Sequence, residues 1–77
     1  MFFNMKIEVN EDQPIGQIVE ELERLGYEPT LFTPNRCTAF IVCYESGSFT
    51  DWDKFDGGYY DWKPTSLLEL EEMKCSN

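Results

Sequence analysis

The chain has 77 residues, fifteen Asp or Glu against six Lys or Arg, a net charge of −9 and no histidine. That length gives one domain with a small core, burying only roughly 60% of the surface that the unfolded chain exposes. The charge disfavours free nucleic acid and anionic membranes, which repel a polyanion, and favours a basic protein surface as partner.

Residues Phe3 to Val9 alternate, with Phe3, Met5, Ile7 and Val9 on one side, and predict a half-buried strand. MKIEV alone would open that strand, so the residues before Met5 read as a short extension. Pro14 to Leu25 predicts a helix, because Ile15, Ile18, Val19, Leu22 and Leu25 form one apolar stripe. Asp12 or Gln13 is the expected N-cap, Pro14 suits the first turn and Gly26 supplies the left-handed stop. Glu28 to Arg36 reads as a loop around Pro29 and Pro34, with a short extended piece at Thr30 to Phe32.

Cys37 to Tyr44 is apolar on both faces and predicts a central strand covered on at least one side by helix. Glu45-Ser46-Gly47 is a turn, and Ser48 to Trp52 returns as the second arm of a hairpin. A bend at Gly57-Gly58 and a short strand at Tyr59 to Trp62 follow, with Pro64 stopping that strand. Ser66 and Glu69 make a capping box for a helix over Leu67 to Lys74, whose Leu67, Leu70 and Met73 can dock on the sheet. The order β-α-β-β-(β)-α predicts an α+β fold: a small, mostly antiparallel single-layer sheet with two helices packed on one face.

Catalysis is not expected. Without histidine the commonest acid–base group is missing, and serine or cysteine nucleophiles lack their usual partner. Cys37 and Cys43 lie in or beside an apolar strand, where a thiol is inert. Three cysteines, with no CxxC pair, fit a reduced cytoplasmic protein and argue against a structural zinc site. No apolar run approaches the roughly 20 residues that span a bilayer, and no signal peptide is evident. No cofactor is implied.

The stretch Phe49 to Trp62 concentrates six aromatics, four aspartates and two glycines in fourteen residues. Asp51, Asp53 and Asp56 resemble the start of a calcium loop. Counting from Asp51, however, Phe55, Asp56 and Trp62 stand where a ligand, a glycine and a glutamate are required. Aromatic anchors beside charge are the usual composition of an interface hot spot. Strand parity puts Phe49 on the face opposite Trp52, so Phe49 and one of Tyr59 or Tyr60 are expected in the core. The candidate partner-binding residues are Asp51, Trp52, Asp53, Phe55, Asp56, Tyr60, Asp61 and Trp62.

The segments MKIEV, ELERLGYEP, FIVCYESGSF and PTSLLELEEM give the chain the layout of short acidic proteins encoded by tailed bacteriophages, which it resembles. The resemblance implies a small cytoplasmic gene product acting on a host component. The expected function is therefore non-enzymatic: stoichiometric occlusion of a basic, nucleic-acid-binding surface on a host defence or DNA-processing protein, by a monomer or homodimer. Two alternatives are a small-ligand or nucleotide-signal sequestering protein that uses the aromatic stretch, and a self-assembling accessory protein.

Overall fold

The computed structural model describes residues 2–53 and 61–73. Strand β1 (Met5–Glu8) leads into helix α1 (Ile15–Arg24). Strands β2 (Glu28–Pro29), β3 (Phe40–Cys43), β4 (Ser48–Trp52) and β5 (Lys63–Thr65) follow, then helix α2 (Leu67–Glu72). The strands lie side by side in the order β2-β4-β3-β1-β5.

The fold is α+β as expected, but the sheet is mixed. Strand β3 runs antiparallel to both β1 and β4, whereas β2 is parallel to β4 and β5 is parallel to β1. The direction of β2 follows from the crossover through α1. A helix between two strands returns the chain to the end where it started, so β2 enters the sheet in the direction of β1.

The register places Met5, Ile7, Ile41, Cys43 and Phe49 on one face. There they meet Ile18 and Leu22 of α1 and Leu67 and Leu70 of α2 in a single core. Full burial of each such side chain contributes about 1.5–3 kcal/mol. The α1 stripe holds as read, with Ile15 and Val19 half-buried at its margin. Gly26, at φ +99°, ends the helix. Around it the Gly26 amide donates to Glu23 O at 3.1 Å and the Tyr27 amide to Leu22 O at 3.0 Å, satisfying two terminal carbonyls. The capping box of α2 is complete, with the Ser66 hydroxyl accepting from the Glu69 amide.

Several boundaries differ from expectation, each for a physical reason. Strand β1 starts at Met5, and Phe3 is 38% exposed instead of sharing the buried side. Phe2 docks in its place, edge-on to Tyr27 at 4.8 Å and against Gly26 and Gly47, so the residues before Met5 belong to the fold. The Tyr27 hydroxyl fixes that segment by accepting from the Phe3 amide and donating to the Phe3 carbonyl.

Strand β3 begins at Phe40 rather than Cys37, because Asn35 and Thr38 close a turn and the Asn35 carboxamide captures the Cys37 amide at 2.7 Å. The proline-bearing segments Glu28–Pro29 and Lys63–Thr65 are strands, and Pro64 sits inside β5 instead of stopping a strand. Both lie at sheet edges, where a strand needs ladder donors on one side only and proline is tolerated. Of the expected strand at Tyr59 to Trp62, Asp61 and Trp62 form a turn leading into β5, and the two tyrosines fall outside the described residues.

Candidate functional site

Of the candidate binding residues, Phe55, Asp56 and Tyr60 lie outside the described residues. The other five do not form one patch. Asp51 pairs with Ile41 and so lies on the helix-covered face, where its carboxylate accepts the Thr33 amide at 2.8 Å and holds the 30–36 loop against the sheet. Trp52 pairs with Phe40 on the opposite face and is half-buried. Trp62 is also half-buried, since its indole N–H donates to the Cys43 carbonyl at 2.9 Å and its ring meets Tyr44 edge-on at 6.1 Å. Asp53 and Asp61 are exposed. Phe49 is fully buried, as parity required, and Phe32 packs edge-on against it at 5.2 Å.

The sheet face away from the helices therefore carries aromatic side chains in quantity: Phe40, Tyr44, Trp52 and Trp62 around Val42. Lys6 stands over the Phe40 ring at 5.8 Å from its centre. Val42 is only 1% exposed, so this face is packed too, and its rings stabilise the domain before they are offered to a partner.

The helical layer has a different character. The two helices pack side by side, and their outward positions include Glu20 and Glu23 on α1 and Glu69, Glu71 and Glu72 on α2. The one cation within the two helices, Arg24, is committed. Its guanidinium donates to the Leu70 and Met73 carbonyls at 2.9 and 3.0 Å, capping the C-terminal end of α2, and to Glu21 at 2.7 Å. At the other end of α2, Gln13 bridges three elements: its Nε2 donates to the Glu8 carbonyl and its Oε1 accepts the Leu67 amide. Gln13 does not cap α1, for which Pro14 is the N-cap residue without a side-chain hydrogen bond. Asn10 takes the amides of Asp12 and Gln13 instead. Sequence reasoning missed both bridging roles because the partners lie 54 and 46 residues away and leave no local signal.

The described surface includes two grooves of note. One, of about 260 Å³, lies between Lys6, Glu8, Phe40 and the start of α2, and its Gln13, Ser66 and Glu69 are already committed to capping. The other, of about 350 Å³, runs along the β2–β4 edge between Leu31 and Tyr44. Nucleophilic chemistry has little to work with here. Burial pushes the Cys43 thiol up to about 12, and Cys37 is exposed in its turn rather than set in the strand. Burial also raises the Tyr27 hydroxyl, against the hydrogen bond from the Phe3 backbone that lowers it. Every buried side-chain nitrogen and oxygen among the described residues has a partner. Among the same residues no three carboxylates or thiols gather to hold a metal ion, and no helix is long and apolar enough to cross a membrane.

No protein-family model, no curated protein and no solved structure matches this chain. The reading of its function rests on its own geometry.

Proposed function

We propose that this protein is a non-enzymatic binding module, of the kind tailed bacteriophages encode, that occludes a basic, nucleic-acid-binding surface of a host protein in the cytoplasm. The observation that carries the reading is the helical layer. Glu20, Glu23, Glu71 and Glu72 are exposed on two adjacent helices, and the only cation of those helices is bound to backbone carbonyls and to Glu21. Such a face keeps its negative potential and steers a basic partner. Asp53 and Asp61, both exposed, add charge at the ends of the 54–60 segment. Asp51 and Trp62 are engaged in hydrogen bonds within the domain, so this layer rather than the aromatic stretch supplies the charge available to a partner.

The test is affinity capture from a bacterial lysate at low and high salt, using the native chain, a Glu20→Lys/Glu23→Lys/Glu71→Lys variant and an Asp53→Lys/Asp61→Lys variant. The expected partner is a basic nucleic-acid-binding protein. It should be lost at about 1 M salt, where charges are screened beyond about 3 Å, lost with the helical variant, and displaced by added DNA. Partners that withstand both salt and helical charge reversal would refute the reading.

A further inference from the structure

We propose that the groove along the β2–β4 edge is a binding site for a neutral, polyhydroxylated ligand of the saccharide class. Among the described residues it is lined by Thr30, Leu31, Tyr44, Ser46, Ser48 and Thr50, so five of its six side chains carry a hydroxyl. The hairpin builds this array. The Tyr44 amide donates to Ser48 O and the Gly47 amide to Tyr44 O, closing a three-residue turn that brings Ser46 beside Ser48. Thr50 pairs with Val42, and so lies on the sheet face away from the helices.

The hydroxyls of Ser46, Ser48 and Thr50 are only partly used by the hydrogen bonds they make within the protein. Those of Ser46 and Ser48 share one hydrogen bond at 3.1 Å, so one of the two keeps its proton to donate. That of Thr50 donates to the Leu31 carbonyl at 3.4 Å and keeps its lone pairs. A hydroxyl carries one donor and two acceptor sites, so the donor left on the serine pair and the lone pairs left on all three suit a ligand that both gives and takes hydrogen bonds.

Charge narrows the class. The described lining has no carboxylate, ammonium or guanidinium. A chain of net charge −9 repels an anion, and hydroxyls alone do not offset the desolvation of a cation. The apolar component fits as well. Leu31 is 89% exposed at the rim and held at φ 49°, a backbone region that bulky residues rarely occupy and that recurs at ligand contacts. With Tyr44 it offers apolar surface to the C–H face of a sugar ring, and 350 Å³ falls within the usual range for small-ligand sites. This site is independent of the acidic helical layer.

The experiment is a titration of the full chain with glucose, maltose and glucose 6-phosphate, followed by amide chemical shifts. Saturable shifts confined to Thr30, Leu31 and residues 46–50 are expected for glucose or maltose, with a millimolar dissociation constant. Glucose 6-phosphate should bind at least about tenfold more weakly than glucose or maltose. Thr50→Val keeps the β-branched shape and the native spectrum, and should weaken binding about three- to tenfold through loss of the hydroxyl. The absence of saturation with both neutral sugars, shifts centred elsewhere, or unchanged affinity in Thr50→Val would overturn the proposal.

Discussion

Arg24→Ala is the most informative single change in the helical layer. It removes two guanidinium hydrogen bonds to α2 carbonyls, at 2.9 and 3.0 Å, and an ion pair with Glu21 at 2.7 Å. Bonds from a charged donor contribute about 1.5–3 kcal/mol each when water is excluded. The Arg24 side chain is 40% exposed, however, and water can reach the Met73 end, so the sum is discounted to about 1–2 kcal/mol. The exposed ion pair adds a few tenths at most. Urea denaturation gives the stability difference, and exchange of the Leu70 amide, which donates to Ser66 O, gives the local one. Stability should fall by about 1–2 kcal/mol and protection of Leu70 by roughly five- to thirtyfold. Arg24→Lys should recover less than half, since an ammonium lacks the planar fork that reaches carbonyls and Glu21 together. Glu21→Ala should cost under about 0.5 kcal/mol. A Glu21→Ala loss equal to that of Arg24→Ala would show that the ion pair, not the cap, holds the helices together, and would refute the reasoning.

Four further outcomes are expected. Gln13→Ala should cost about 1–2 kcal/mol in urea denaturation by leaving the Glu8 carbonyl and Leu67 amide without their partner, while Gln13→Glu, which keeps the acceptor, should cost less. Gly47→Ala should cost about 1–2 kcal/mol for placing alanine at φ +92°, plus a steric part, because the new Cβ would lie 2.9 Å from the Phe2 ring; in a Phe2→Ala background that steric part should vanish in a double-mutant cycle. The Cys43 thiol, raised by burial to about 12 from an ordinary value of 9.0, contributes stability that is fully present below about pH 9 and is lost as pH rises towards 12. Stability at pH 10.5 should therefore be about 2 kcal/mol below that at pH 7, with Cys43→Ala flattening the slope. In a Cys75→Ser background a thiol reagent should modify Cys37 at once and Cys43 only on unfolding.

What could be read from the sequence was whatever depends on neighbours a few residues apart. The α1 stripe repeats at the helical period, Ser66 and Glu69 form a local capping pair, and Ser48 to Trp52 alternates so that Phe49 had to be buried. The edge strands left no such trace. Glu28–Pro29 and Lys63–Thr65 are strands because β4 and β1 pair with them, and proline argues against both until their edge position is known. The same holds for the site. Nothing local says that the Asp51 carboxylate takes the Thr33 amide, or that the Trp62 indole is tied to Cys43. Composition marked the stretch as unusual, while pairing across the sheet decided which of its described side chains remain available.

The joining of β5 to β1 also bears on how the chain folds during synthesis. Met5 pairs with Cys43 on one side and with Lys63 on the other, so β1 becomes an interior strand only when β5 arrives. Gln13 and Arg24 likewise wait for Leu67 and Leu70. A nascent chain that has released only its first sixty residues has one unpaired flank of β1 and part of the α1 stripe in water. Closure of this distant pairing carries a large loop entropy, so folding should be slow for so short a chain. Until residues 63–73 emerge, the partial fold offers an open strand to chaperones and to other nascent chains, and the arrival of a short, proline-bearing strand removes that exposure.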